Sequence, residues 1–317
     1  MLTRFRDDSA FLARETVIRR SVTDPSGNSS ARNHVLTMPG GGSVAWAEYG
    51  HPHGAPLVYF HSQGGSRYEA RLLHDAAREA GFRLIAIDRP GIGLSSYRRL
   101  SGHSVFVVHV RAVLAELGLE QAGLLAWAGG APFALAFACE YPDAVKAVNL
   151  LSPLPARPAA ETLSARLALA VMRGLICLRH KLPDGRTDQY WKRLRDTLCY
   201  VDRKQFDNPR ISGILREDAG EAVRQGSRGV AQDCAMSFRS WDFRPETISV
   251  PVHLWQGSAD NFSVPCSAER LQALLPGAIL HSIARQGHLF FTSSADDIFR
   301  CYRQSLASGI TRFAACS

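Results

Sequence analysis

The stretch Leu124-Leu125-Ala126-Trp127-Ala128-Gly129-Gly130-Ala131-Pro132 has the layout for covalent catalysis without the atom that performs it. An apolar run enters a small-residue turn and leaves it as an Ala-rich helix, Ala131 to Tyr141. A nucleophile elbow reads G-x-S-x-G, with the serine on a strained strand-to-helix turn and its hydroxyl exposed at the helix N-terminus. Here Ala126 holds the first glycine position, Gly130 the last, and Ala128 the place of the serine. A methyl group cannot attack a carbonyl. Cys139 does not replace the hydroxyl, because it lies on the following helix about 16 Å further along at about 1.5 Å per residue. No spacing among His, Cys, Asp and Glu suggests a metal ligand set. The glycines of Asp88–Gly93 and Gly129-Gly130 match neither a dinucleotide nor a phosphate loop. No metal and no cofactor are expected.

The elements that must position this turn follow from patterning. Val35–Met38 and Ser43–Tyr49 read as a hairpin around Gly40-Gly41-Gly42. Leu57–Phe60, Arg83–Ile87, Leu124–Trp127 and Val145–Leu151 are short apolar runs separated by the helical stretches Tyr68–Ala80, Ser104–Leu117 and the elbow helix. After Ser152 the alternation stops, and Pro153–Trp241 is helical in pattern and Arg-rich. The alternation resumes with Val250–Trp255, Ser267–Leu275, Ile279–Ile283 and Asp296–Leu306. Strands alternating with helices imply parallel crossovers and a sheet covered on both faces. The expectation is an α/β fold with a mostly parallel eight-stranded sheet flanked by helices. It divides into an N-terminal arm (1–33), a core (34–152 and 243–317) and a helical cap (153–242) over the strand C-terminal edge, where open α/β sheets bind ligands.

Composition bounds the partners. The 317 residues carry 46% hydrophobic and 21% charged residues, an ordinary globular balance. The formal charge of +8 is scattered in short clusters such as Lys192–Arg195, without a nucleic-acid motif, so it reads as a basic solvated surface. The longest apolar run, Leu167–Leu178, is broken by Arg173 and too short to span a bilayer, so no stable membrane insertion is expected. Seven scattered cysteines without C-x-x-C spacing suit free thiols in a reducing, cytoplasmic setting. The tail Ala307–Ser317 reads as a free end or as a contact with a second copy in a homodimer.

The loops that end these strands complete the picture: His61-Ser62-Gln63-Gly64-Gly65-Ser66-Arg67, Asp88-Arg89-Pro90-Gly91-Ile92-Gly93-Leu94-Ser95, Gly257-Ser258-Ala259-Asp260-Asn261, and Gly287-His288. With the elbow, and with Trp241, Phe243, Pro251 and Trp255, this succession resembles the α/β-hydrolase superfamily over about Val35–Leu306. It is similar to bacterial capped members of the esterase, carbon–carbon hydrolase and haloperoxidase-like kind. The resemblance implies a nucleophile–acid–His order along the chain, with Asp260 second and His288 third behind Ala128. It also implies an oxyanion hole from the backbone N–H groups of Gln63 and Gly129. Asp260 and His288 could serve merely as turn and helix caps, but their order and their places at strand ends select the catalytic role. Arg67 is expected to anchor the oxyanion loop, Asp88 and Arg89 to be scaffold, and His61, Ser62, Trp127 and Met172 to line a substrate pocket. Ser62 stands where many relatives carry Gly, and it faces the oxyanion side, away from His288. Ala128 is not the Asp of dehalogenase-like relatives either.

Two origins fit the alanine. A Ser-to-Ala exchange would disable an active Ser-His-Asp hydrolase of an ester-like, partly hydrophobic small molecule while keeping its site. Natural loss, suggested by Ser62 and Ala126 departing from pattern together, would leave a ligand-binding protein. It would equally suit a His-Asp dyad enzyme of lyase, cyclase or isomerase type.

Overall fold

The computed structural model describes residues 19–22, 32–154, 184–237, 239–263 and 266–307. All eight anticipated strands are present: β2 (Arg32–Thr37), β3 (Ser43–Gly50), β4 (Ala55–Phe60), β5 (Phe82–Ile87), β6 (Ala122–Trp127), β7 (Val145–Leu151), β8 (Val252–Gly257) and β9 (Ile279–Ile283). A further strand, β1 (Arg19–Val22), lies within the segment expected to be an arm and pairs antiparallel with β2. The order is β1-β2-β3-β5-β4-β6-β7-β8-β9. Pairing is parallel from β5 through β9 and antiparallel on the β1–β3 side.

Period-two alternation divides the core. Val58, Phe60, Leu124, Ala126, Val148 and Leu150 face one side, where they meet α2 (Val107–Glu116) and the elbow helix α3 (Ala131–Glu140). Leu57, Tyr59, Leu125, Trp127 and Leu151 face the other, against α1 (His74–Glu79) and the C-terminal helix α9 (Phe291–Ala307). The expected helix over Tyr68–Ala80 is a 3-10 segment, Arg67–Leu73, followed by α1. The expected Ser104–Leu117 helix likewise opens with a 3-10 turn, His103–Phe106.

Between β7 and β8 the described chain is helical: α4 (Asp184–Thr197), α5 (Tyr200–Phe206), α6 (Pro209–Ala222) and α7 (Arg228–Met236). Near β8 and β9, α8 (Ser267–Gln272) completes the set. Met172, the apolar segment Ser164–Leu178 and the tail from 308 lie outside the described residues. None of the described helices is long and apolar enough to cross a membrane.

Four buried carboxylates tie the inserted helices to the core. Asp202 of α5 accepts the backbone N–H of His288 (2.7 Å) and of Leu289 (2.8 Å). Asp218 of α6 accepts from Ser66 N–H (2.8 Å) and from its hydroxyl (2.6 Å). Glu221 of α6 pairs with Arg67 (2.8 Å), which also holds Asp88 (2.6 Å) and Asn33 (2.8 Å). Asp233 of α7 takes both Nε (2.5 Å) and Nη2 (2.7 Å) of Arg89. The backbones also meet: a Cβ on Gly229 of α7 would stand 2.0 Å from the Gly91 carbonyl oxygen.

Glu69 and Asp218 converge beside Gly65, where a Cβ would lie 2.5 Å from Glu69 Oε2 and 3.1 Å from Asp218 Oδ2. Burial raises both carboxyls, Glu69 to about 7, and the charge of Glu69 pushes Asp218 up further. The pair therefore keeps a proton where exposed carboxyls have lost theirs.

Two outcomes follow. Gly229→Ala must separate α7 from the Gly91 turn and costs about 1–3 kcal/mol, read as a lower urea midpoint at constant slope; an unchanged midpoint would show that the contact yields freely. For Glu69, the folded-state value lies above the unfolded one, so its contribution is favourable in acid and declines as pH rises to about 7. The stability difference between wild type and Glu69→Gln should therefore favour wild type more at pH 5 than at pH 8. Comparing the two proteins at each pH removes the opposite trend of the buried histidines.

Candidate active site

The site forms where β6, β4, β8 and β9 end. Ala128 follows β6 with φ of 46°, in the left-handed region that an L-residue enters at a cost of about 1–3 kcal/mol. This is the strained turn that the elbow pattern anticipates, and here it carries a methyl group. Leu151 of β7 is in register with Trp127, and the next residue, Ser152, is also left-handed with φ of 42°. Its hydroxyl is buried and has no hydrogen-bond partner among the described residues. Nothing in the residue pattern marks Ser152, because strain in a serine leaves no periodic signal.

Asp260 and His288 are brought together as expected. His288 Nδ1 stands 2.9 Å from Asp260 Oδ2. Asp260 also accepts from Gln256 Nε2 (2.9 Å), Ser263 Oγ (2.8 Å) and the backbone N–H groups of Phe262 (2.9 Å) and Ser263 (3.0 Å). Burial alone would raise the Asp260 carboxyl, but attraction to His288 and these donors hold it well below the usual carboxylate range. An ionised acceptor at Nδ1 places the imidazole proton there and leaves Nε2 as the base. Among the described residues Nε2 has no hydrogen-bond partner. The ring is held between Trp127 (centroids 5.3 Å apart) and Phe262 (4.9 Å), and its backbone is pinned by Asp202. Ser263, Gln256 and Asp202 were not singled out from the sequence, since single polar residues near strand ends resemble ordinary turn formers.

The loop after β4, expected to supply one oxyanion amide, is bound at nearly every N–H. Ser62 N–H donates to Glu69 (2.7 Å), Gly64 to Asp233 (3.0 Å), Gly65 to the Ser62 carbonyl (3.2 Å) and Ser66 to Asp218. The Gln63 N–H alone in this run has no acceptor among the described residues. Gly129 is in the first turn leading into α3, where N–H groups lack intrahelical partners. The two segments abut, because a Cβ on Gly129 would lie 2.3 Å from Gln63 Cδ. The Gln63 side chain is itself held by Ser237 (2.9 Å).

Two residues expected at the pocket are tied into the support of the loop. His61 is fully buried, with Nδ1 2.9 Å from the Ser62 carbonyl, and burial lowers its basicity well below normal. It supports the loop from within. The Ser62 hydroxyl donates to Glu69, on the side of the loop facing its buried support. Trp127 does lie beside His288, and its indole N–H is buried without a partner among the described residues. The anchoring of the loop after β4 that was expected of Arg67 falls to Arg89, whose Nη1 and Nη2 donate to the His61 and Ser62 carbonyls, while the equally buried Arg67 joins Asp88, Asn33 and Glu221.

Residues 55–295 match the alpha/beta hydrolase fold family. Similar solved structures include an enol-lactonase from Burkholderia xenovorans LB400 (TM-score 0.62, 18% identity, covering 84% of this chain and 97% of that one). A thermophilic esterase from Thermogutta terrifontis is also similar (TM-score 0.63, 19% identity, 94% and 100%). A third is bromoperoxidase from Bacillus anthracis (TM-score 0.64, 18% identity, 84% and 96%). At these identities the likeness is one of fold. A proline iminopeptidase of Clostridium botulinum is 33% identical over 105 residues, which is 32% of this chain and only 36% of that relative's length. With the family match running through most of the described core and the sheet order in agreement, the chain belongs to the alpha/beta hydrolase fold family.

Proposed function

We propose that this chain is a serine-hydrolase scaffold for an ester-like, partly hydrophobic small molecule, with its acid–base pair intact and its nucleophile replaced by Ala128. The observation that carries this reading is the 2.9 Å His288–Asp260 contact, whose carboxylate is saturated with donors. A carbonyl seated over Ala128 would receive the Gln63 and Gly129 amides at its oxygen. His288 Nε2 would serve as general base, and with a serine at 128 it would take the hydroxyl proton and return it to the leaving group. With alanine there, the same base has only water or a substrate proton to act on. The helices at 184–236 belong, in this reading, to a cap over 153–242 covering a core of 34–152 and 243–317. None of the described cysteines forms a disulfide, which suits a reducing, cytoplasmic setting.

A second reading, a natural serine-less lyase, cyclase or isomerase using the His288–Asp260 dyad, is favoured by one observation. Ser62, which departs from the usual glycine, is built into the Glu69 network through both its amide and its hydroxyl. The departure thus has a matching support, which a lone exchange at 128 would not create.

Ala128→Ser should make the protein react with a fluorophosphonate probe and raise ester hydrolysis by about 10³-fold or more. Absence of hydrolysis of every short- and long-acyl ester would end the hydrolase reading, and labelling of the Ala128 chain that vanishes with Ser152→Ala would relocate the nucleophile. In the Ala128→Ser background, Asp260→Asn should lower kcat by about 10⁴-fold through the wrong imidazole tautomer. In the unaltered chain, an activity lost with His288→Ala identifies the dyad enzyme; a retained ligand indifferent to that change identifies a binding protein.

A further inference from the structure

On the α9 face of the sheet, away from the His288–Asp260 pair, three side chains from three elements converge. His253 on β8 and His281 on β9 approach with Nδ1 and Nε2 3.0 Å apart. Cys301 on α9 places Sγ 3.6 Å from His253 Nδ1 and 3.9 Å from His281 Nε2. A tetrahedral zinc site with Zn–N near 2.05 Å and Zn–S near 2.3 Å has edges of about 3.3 Å between nitrogens and about 3.6 Å between nitrogen and sulfur. All three separations lie within a few tenths of an ångström of those edges.

Proton accounting supports the same conclusion. Ser305, one turn along α9, donates its hydroxyl to the Cys301 carbonyl (3.1 Å) and so accepts from His253 Nε2, 2.9 Å away. His253 Nδ1 is then an unprotonated lone pair directed at the other two donors. A ring nitrogen that donates outward while its twin faces the ligand set is the usual supporting arrangement of a metal-bound histidine. The His281 ring is fixed by Trp255, stacked at 4.0 Å with planes 15° apart, and Trp255 is in turn anchored to Asn149 (3.0 Å). His253 is buried, whereas His281 and Cys301 are partly exposed, which gives an ion a way in.

We propose that His253, His281 and Cys301 form a binding site for a divalent transition ion of the zinc class, with the fourth position open to water. Binding removes the Cys301 thiol proton to solvent and forms the metal–thiolate bond. The proton of His281 shifts from Nε2 to Nδ1, so one proton is released per ion and no redox partner is involved. The ion would clamp α9 to β8 and β9, the strands whose loops carry Asp260 and His288.

The test uses the full chain, stripped with a chelator and titrated with Co²⁺ alone. One ion per chain is expected, with the intense visible bands of a tetrahedral site and a thiolate-to-cobalt charge-transfer band. Zn²⁺ should abolish these bands and raise Tm. Cys301→Ser should lose the charge-transfer band, and Ser305→Ala should weaken binding about 10–100-fold. If Cys301→Ser fails to fold, the partly exposed His281→Gln takes its place, with at least a tenfold loss of affinity expected. Absence of the tetrahedral bands in wild type, or their persistence in the Cys301 or His281 variant, overturns the proposal.

Discussion

Arg89 is the interaction on which the catalytic edge depends. Its guanidinium is buried and joins three different parts of the molecule, two of them through its donors. Nε and Nη2 bind Asp233 of the inserted helix α7, while Nη1 and Nη2 bind the His61 and Ser62 carbonyls of the oxyanion loop at 2.7 Å each. Its plane also lies over Phe133 of the elbow helix, 4.8 Å from the ring centroid. A buried pair gains little over a hydrophobic replacement, but removing one partner leaves an unpaired charge at a cost of several kcal/mol. Arg89 therefore acts less as a source of stability than as a fixed joint. With that joint in place, Asp233 can hold Gly64, Glu69 can hold Ser62, and the Gln63 amide has no acceptor among the described residues.

The polar groups at this edge form a graded series. Asp260 is saturated and ionised, His288 is bonded on one nitrogen and open on the other, and the Trp127 indole N–H and Ser152 hydroxyl have no partner among the described residues. Backbone strain is concentrated in the same place, at Ala128 and Ser152 on neighbouring strand ends. Unpaired buried groups and left-handed non-glycine residues are each costly. Their coincidence here is the signature of a site shaped for a ligand, whichever residue occupies position 128.

Much of this was legible in the sequence for a physical reason. Parallel strands are buried on both faces, so Leu124–Trp127 appears as an uninterrupted apolar run and Val145–Leu151 as one broken only by Lys146 and Asn149. Strand β1 was not legible, because four residues at a sheet edge, two of them arginine, show no alternation. The 3-10 segments before α1 and α2 were read as α-helix, since a period of 3.0 over a few residues is hard to tell from 3.6. Asp202, Asp218, Glu221 and Asp233 sit among arginines in polar helices, where a carboxylate reads as solvated until its partner on a distant loop is known. The cluster His253, His281 and Cys301 escaped for the same reason: its members stand 28 and 20 residues apart and meet only through the sheet register and the packing of α9.

The four carboxylates that bind the inserted helices to the core also bear on how such a protein can diversify. In a modular lid, substitutions retune ligand preference without disturbing the chemistry beneath. Here α5, α6 and α7 each hold a backbone amide or arginine of a strand-end loop, so a shift of those helices reaches His288, Ser66 and Gly64 directly. A substitution that breaks one of these ties therefore acts on the loops at the strand ends as much as on the helix that carries it.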